Sequence, residues 1–213
     1  MRLEISHISK KLKQTLVLDD VSLSVDSGTV CGIVGRNGSG KTMLFRAISG
    51  LIHTDSGTVR WDGRLLHKDF DVLPSLGIIL ENADLYPDYS CLKNLQLLAG
   101  LRKIADQAAI SESIRRVGLD PADSRPYRKY SLGMKQRAKI AQAIMEKPDV
   151  LILDEPTNAL DTEGVALIRQ IINQEKQRGA LVLLASHSQE DIRLLSDQVY
   201  HMSNGRLSRP VEG

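Results

Sequence analysis

Four short stretches carry the residue types from which phosphate chemistry is built. The first, Gly35-Arg36-Asn37-Gly38-Ser39-Gly40-Lys41-Thr42, fits the pattern G-x-x-x-x-G-K-[ST] without a mismatch. Its glycines allow backbone N–H groups to converge on phosphate oxygens, Lys41 reaches the β- and γ-phosphates, and the Thr42 hydroxyl is placed to ligate Mg²⁺. The second is the pair Asp154-Glu155. Asp154 can hold Mg²⁺ through water, because that ion keeps part of its hydration shell, and Glu155 can orient or deprotonate an attacking water. The third is Tyr130-Ser131-Leu132-Gly133-Met134-Lys135-Gln136-Arg137, where Ser131 reads as the N-cap of a helix whose N-terminus can face a phosphate. The fourth is Ser186-His187, whose imidazole could touch a γ-phosphate.

Each stretch sits where an expected element would hold it. The run Thr29-Val30-Cys31-Gly32-Ile33-Val34 reads as a buried strand entering the glycine loop, and Met43-Leu44-Phe45-Arg46-Ala47-Ile48-Ser49 as the helix leaving it, closed by Gly50. Val150-Leu151-Ile152-Leu153 and Leu181-Val182-Leu183-Leu184-Ala185 are continuous apolar runs, as parallel strands buried on both faces require. They end at Asp154 and at Ser186, and strand ends are where open α/β sheets bind ligands. Residues 3–8 and 15–25 read as further strands, and Gly57-Thr58-Val59-Arg60-Trp61 followed by Asp62-Gly63 as a hairpin. Between residues 91 and 147 the apolar pattern is helical. A helix over residues 162–178, a strand near 198–202 and an Asn204-Gly205 turn complete the chain. Trp61 reads as a packing residue, and His7, His53, His67 and His201 show no ligand spacing.

Composition narrows the class. The 213 residues are 42% hydrophobic and 25% charged, with a net charge of +2 and no Lys/Arg block long enough for a nucleic-acid stripe. No apolar run approaches the roughly 20 residues a bilayer requires, and the N-terminus lacks a secretory apolar region. Cys31 and Cys91 fit buried thiols better than a disulfide framework or a metal site. A cytoplasmic protein of one domain is expected.

Taken together, the four motifs in this order resemble the ATP-binding cassette (ABC) family of ATPases over essentially the whole chain. Residues 35–42 look like its Walker A loop, 150–155 like Walker B with its catalytic glutamate, 130–134 like its signature, Ala159-Leu160-Asp161 like its D-loop, and His187 like its switch histidine. The form Ser-Leu-Gly-Met-Lys-Gln-Arg is similar to bacitracin- and lantibiotic-resistance exporters. The resemblance implies a P-loop (RecA-like) α/β core with an antiparallel β subdomain, residues 1–81 and 148–213, carrying an inserted helical subdomain, 82–147. It implies ATP and Mg²⁺ as ligands, and a head-to-tail dimer in which each nucleotide lies between one Walker A loop and Ser131/Gly133 of a second ATPase subunit, with Asp161 at that junction. A separate membrane permease is the expected partner, touched by residues 83–94 with Tyr86 and Tyr89, which puts the chain on the cytoplasmic face of the cell membrane. A soluble ABC ATPase working on ribosomes or DNA, or a nucleotide-gated module with little turnover, are the competing readings.

Three departures from the family pattern involve four positions. Leu12 stands where an aromatic residue stacks on adenine. Stacking is worth about 1–3 kcal/mol, so weaker and less adenine-selective binding is expected. Glu81 replaces a glutamine: a carboxylate about 4 Å from a phosphate charge costs roughly 4 kcal/mol at an effective dielectric near 20. Glu81 is therefore expected to ligate Mg²⁺ or to swing away. Leu132 and Met134 replace the usual signature residues, but Ser131 and the backbone donors remain.

Overall fold

A computed structural model describes residues 1–81 and 84–209. Strands β1 (Arg2–Leu12) and β2 (Thr15–Asp26) form an antiparallel hairpin whose register places Leu3 opposite Val25 and Ile5 opposite Leu23. All four side chains are buried on one face, and Val21 to Val25 alternate buried and exposed as the period of two predicts. Strand β3 (Val30–Val34) leads into helix α1 (Lys41–Ser49), after which β4 (Ser56–Trp61) and β5 (Arg64–Leu65) form the expected hairpin. Asp62 and Gly63 both have positive φ at its turn, the geometry that matches strand twist. Strand β6 (Leu76–Ile79) is followed by α2 (Cys91–Arg102), α3 (Gln107–Arg116), a 3-10 turn (Tyr127–Lys129) and α4 (Leu132–Ile144). The rest comprises β7 (Val150–Asp154), α5 (Thr162–Gln177), β8 (Leu181–Ala185), α6 (Gln189–Leu195), β9 (Gln198–Ser203) and β10 (Arg206–Ser208).

The strands form two sheets. One is antiparallel, in the order β2-β1-β4-β5; the other runs β10-β9-β3-β8-β7-β6 and is parallel except for β10. The long apolar runs are explained by the two faces of this second sheet. Val150, Ile152, Leu181 and Leu183 point toward α1 and the antiparallel sheet, where they meet Leu44, Phe45, Ile48 and Trp61. Leu151, Leu153, Val182 and Leu184 point the other way, into a core shared with Leu95, Ile114, Ile140 and Ile168 of the helices. The helical segment is thus packed into the core on one face of the sheet.

Local chemistry sets the helix starts. Ser90, Asp106, Ser131, Asp161 and Ser188 each accept a hydrogen bond from a backbone N–H in the first turn of the helix they precede. Cys31 and Cys91 are buried, unbridged thiols, and desolvation pushes both up to about 12. Such thiols stay protonated and unreactive at neutral pH. No helix among the described residues is long and apolar enough to cross a membrane.

The sheet of β1 and β4 is pinned at one tight position. Gly57 has φ +80°, and a Cβ there would lie 2.4 Å from the carbonyl of His7, at the register shift between Ser6 and Ser9. Gly57→Ala is therefore expected to destabilise the protein by about 1–3 kcal/mol. Calorimetry should show a drop of roughly 2–4 °C in Tm per kcal/mol.

Candidate active site

The parallel register brings three functional strand ends to one edge. Ile33 of β3 and Asp154 of β7 both pair with Ala185, the last residue of β8. The glycine loop, Asp154-Glu155 and Ser186-His187 therefore leave the sheet side by side. A cleft of about 460 Å³ opens there, with Asn37, Lys41, Thr42, Asp154, Glu155 and His187 in its wall. A larger cavity of about 540 Å³, between α3 and the end of α4, contains none of these groups.

The loop is shaped by its glycines and by what presses on it. Gly40 sits at φ +116°, and a Cβ there would strike the Val17 carbonyl at 2.8 Å. Gly205, in the β9–β10 turn, donates its N–H to the Ser39 carbonyl at 2.9 Å. The loop is thus clamped between β2 and the end of the chain's last hairpin. At Gly38 a Cβ would meet nothing within 4 Å, so this face is open. Lys41 Nζ donates to the carbonyls of Gly35 and Arg36 at 2.7 and 3.2 Å. Both acceptors are neutral, and Lys41 forms no salt bridge among the described residues, which leaves one N–H for an anion. Ser39 Oγ is buried with no hydrogen-bond partner among the described residues.

Behind the loop, Thr42 Oγ1 donates to Asp154 Oδ2 at 2.7 Å, so the two expected metal-binding side chains already touch. Asp154 is held above the ordinary carboxylate range, foremost by burial; the Thr42 hydrogen bond, Lys41 and the Glu81 backbone oppose this, and the Glu81 carboxylate adds to it. Glu155 is buried, with φ +53°, and its Oε2 accepts the His187 backbone N–H at 3.2 Å. Its Oε1 lies 3.2 Å from His187 Nε2 but has no aligned hydrogen-bond donor among the described residues. Burial again raises this carboxylate above its ordinary range, against the lowering effects of the His187 N–H, the His187 ring and Lys41. His187 Nε2 also lies 2.6 Å from Asn37 Oδ1, which joins the histidine to the glycine loop.

Glu81 is exposed yet lines the cleft, and a second cleft of about 270 Å³ that it shares with Asp154 and Glu155. Three carboxylates thus face one space near a single buried lysine. Together with the open glycine face, the unpartnered Ser39 hydroxyl and the unaligned Glu155 oxygen, this donor set fits a polyphosphate carrying a divalent cation. Asn82 and Ala83, which follow Glu81, lie outside the described residues.

Other expected site residues are placed elsewhere. Ser131 caps α4 through a bond from Met134 N, and Asp161 caps α5 while pairing with Arg137 at 3.2 Å. Neither these nor Gly133 lines the cleft of its own chain. Leu12 does not line it either: Val17, further along the hairpin, forms that part of the wall. Two contributors went unassigned in the sequence. Gln136, buried on α4, donates to the carbonyls of Glu155 and Pro156 at 3.1 and 3.0 Å, and Asn158 lines both clefts. A glutamine on the inward face of α4 was the available signal for the first; a loop asparagine offered none.

Comparison with known proteins agrees with this geometry. The family profile described as ABC transporter matches residues 18–158. An uncharacterized ABC transporter ATP-binding protein of Bacillus subtilis, YybJ, is 50% identical over 205 residues, 96% of this chain and 94% of the relative. The bacitracin transport ATP-binding protein BcrA of Enterococcus faecalis is 34% identical, covering 98% of this chain and 68% of the relative. The lantibiotic transport ATP-binding protein SrtF of Streptococcus pyogenes is 31% identical over 96% and 88%. Among solved structures, a dimeric bacterial ABC transporter cassette superposes with a TM-score of 0.87 at 21% identity over 97% of both chains, a likeness of fold. An ATP-binding subunit of an ABC transporter gives 0.88 at 26% identity, over 99% of this chain and 90% of the other.

The Glu155–His187 contact makes a signed prediction about pH. A raised Glu155 loses its basic form at a higher pH than an ordinary glutamate, so nucleoside triphosphate turnover should fall on an acidic limb. Removing the ring in His187→Ala deletes an influence that lowers the Glu155 pKa. The limb of the pH–rate profile should then move to higher pH, alongside any loss in rate; an unmoved limb assigns it to another group.

Proposed function

We propose that this chain, which belongs to the ABC transporter family of ATP-binding proteins, hydrolyses ATP with Mg²⁺ as a dimer and thereby drives a separate membrane-spanning exporter subunit. The observation that carries the hydrolysis is the convergence of Lys41, the Thr42–Asp154 pair and the Glu155–His187 pair on one sheet edge. Lys41 and the loop N–H groups bind the phosphates. Thr42 and Asp154, with Glu81 facing the same space, would hold Mg²⁺, which would neutralise charge on the phosphoryl oxygens. Glu155 orients the attacking water and accepts its proton, and His187, linked to Asn37, holds the glutamate against the glycine loop.

The dimer is supported by where the remaining motifs lie. Ser131 is exposed at the N-terminus of α4 and lines neither cleft, as suits contact with the partner's nucleotide; the adjoining Leu132 is 72% exposed. In this reading residues 82–147 form a helical subdomain on a core of 1–81 and 148–213. Membrane coupling is supported by Tyr86 and Tyr89, both exposed and in edge-to-face contact. The buried Asn94 side chain accepts the Tyr86 N–H at 2.8 Å and donates to the Tyr86 carbonyl at 3.0 Å, so the loop presenting these rings is rigidly braced. The exporter direction and a place at the cytoplasmic face of the membrane belong to this proposal, and the likeness to the bacitracin and lantibiotic transport ATP-binding proteins supports a role in transport.

Glu155→Gln should lower turnover by about 10²–10⁴-fold while ATP binding and ATP-dependent dimerisation, followed by light scattering, persist. Glu81→Gln should shift the Mg²⁺ dependence of turnover; superimposable curves would remove Glu81 from the metal site. Affinity capture from gently solubilised membranes with Mg²⁺ and ATP should recover a multi-spanning membrane protein. Repeated recovery of ribosomal or DNA-associated proteins alone would keep the ATPase and move its work off the membrane.

A further inference from the structure

Behind the Glu155–His187 pair lies a second buried polar cluster that the chemistry above does not use. Its centre is Asp191 on α6, whose side chain is 2% exposed. Asp191 Oδ2 accepts from Thr157 Oγ1 at 2.6 Å and lies 3.4 Å from Ser186 Oγ. Asp191 Oδ1 accepts from Arg169 Nε of α5 at 2.7 Å, and Arg169 also pairs with Glu190 at 2.8 Å. Ser186 Oγ in turn accepts the Ser188 N–H at 3.1 Å, and Ser188 Oγ accepts the Asp191 N–H at 3.1 Å.

The placement of the partners is what matters. Thr157 lies two residues beyond Glu155, in the same turn, and Ser186 directly precedes His187. One carboxylate therefore meets both segments that present the dyad, and neither it nor its partners Thr157 and Ser186 line the cleft. A buried carboxylate is tolerated only when paired and hydrogen-bonded, and Arg169 supplies the charge. Glu155 needs such support, because a non-glycine residue at φ +53° keeps that conformation only where its surroundings over-determine it. Its N–H is held by Ala185 and its carbonyl by Gln136; the Thr157–Asp191 bond holds the next residues of the turn.

We propose that Asp191, acting through Thr157 and Ser186, is the positioning residue that sets Glu155 and His187 in register with each other. This rests on the hydrolase reading, in which that pair handles the attacking water. Thr157→Val keeps the side-chain shape and removes the donor; Thr157→Ser restores the hydroxyl. Misplacing a reacting group by about an ångström costs on the order of 10²-fold in rate. Thr157→Val should therefore lower kcat by about that factor, with KM for ATP changed less than about threefold, and Thr157→Ser should recover most of it. A second readout is independent of turnover: the ring resonances of isotopically labelled His187 should move in Thr157→Val and return in Thr157→Ser. A Thr157→Val protein with wild-type kcat and lowered Tm makes the cluster a brace of α6 alone and overturns the proposal. Wild-type turnover that Glu155→Gln does not reduce overturns the hydrolase reading instead. The resonances still decide in that case, since an unmoved His187 ring in Thr157→Val removes the positioning role whatever the turnover.

Discussion

Two adjacent carboxylates, Asp154 and Glu155, are carried beneath the surface, and the neighbouring elements are arranged around the energetic cost of that burial. Neither has a salt-bridged arginine among the described residues. Asp154 leans on the Thr42 hydroxyl, Glu155 on the His187 backbone and ring, and Lys41 stands near both. Lys41 itself is tied to carbonyls of the glycine loop, which makes this buried cation and the loop a single structural unit. Glu81 opposes this arrangement with a third negative charge, which makes a divalent cation the natural neutraliser of the site.

That polar edge is affordable because the sheet beneath it is apolar on both faces. Residues of β7 and β8 alternate between two cores, one shared with α1 and the antiparallel sheet, the other with α2 to α5. Strand ends are therefore fixed from both sides, and side chains leaving them inherit that rigidity. α4 contributes at two levels: its apolar face fills the second core, and Gln136 reaches the backbone of Glu155 and Pro156. The helix that exposes Ser131 is thus directly attached to the turn bearing the glutamate.

Much of this was legible in the sequence wherever local chemistry decides. The glycine loop, the cap at Ser131, the turn at Asp62-Gly63 and the buried runs of β7 and β8 each follow from short-range rules, and the α/β cassette fold follows from their order. Features that depend on which distant residue becomes a neighbour were not legible. Val17, not Leu12, lines the cleft, because its backbone lies against Gly40 of the glycine loop, a tertiary contact with no local signal. Gln136 was named only within the stretch 130–137, and its bonds to the Glu155 and Pro156 carbonyls depend on the turn after β7 lying beside α4. Asp191 carried no signal in the sequence, because its partners lie on α5 and on two separate loops.

The strand order has a consequence for how the protein is made. β3, which feeds the glycine loop, lies between β8 and β9, and the loop itself is capped by Gly205. Every one of these neighbours is encoded near the end of the chain. A ribosome delivering the chain from its N-terminus exposes β3 long before the two strands that pair with it exist. The β1–β2 hairpin can form early from local contacts, but the central strand must wait through the synthesis of the whole helical segment. During that interval an unpaired apolar strand is the chain's main liability to misassociation, and nucleotide affinity is expected to appear only once the last strands have emerged.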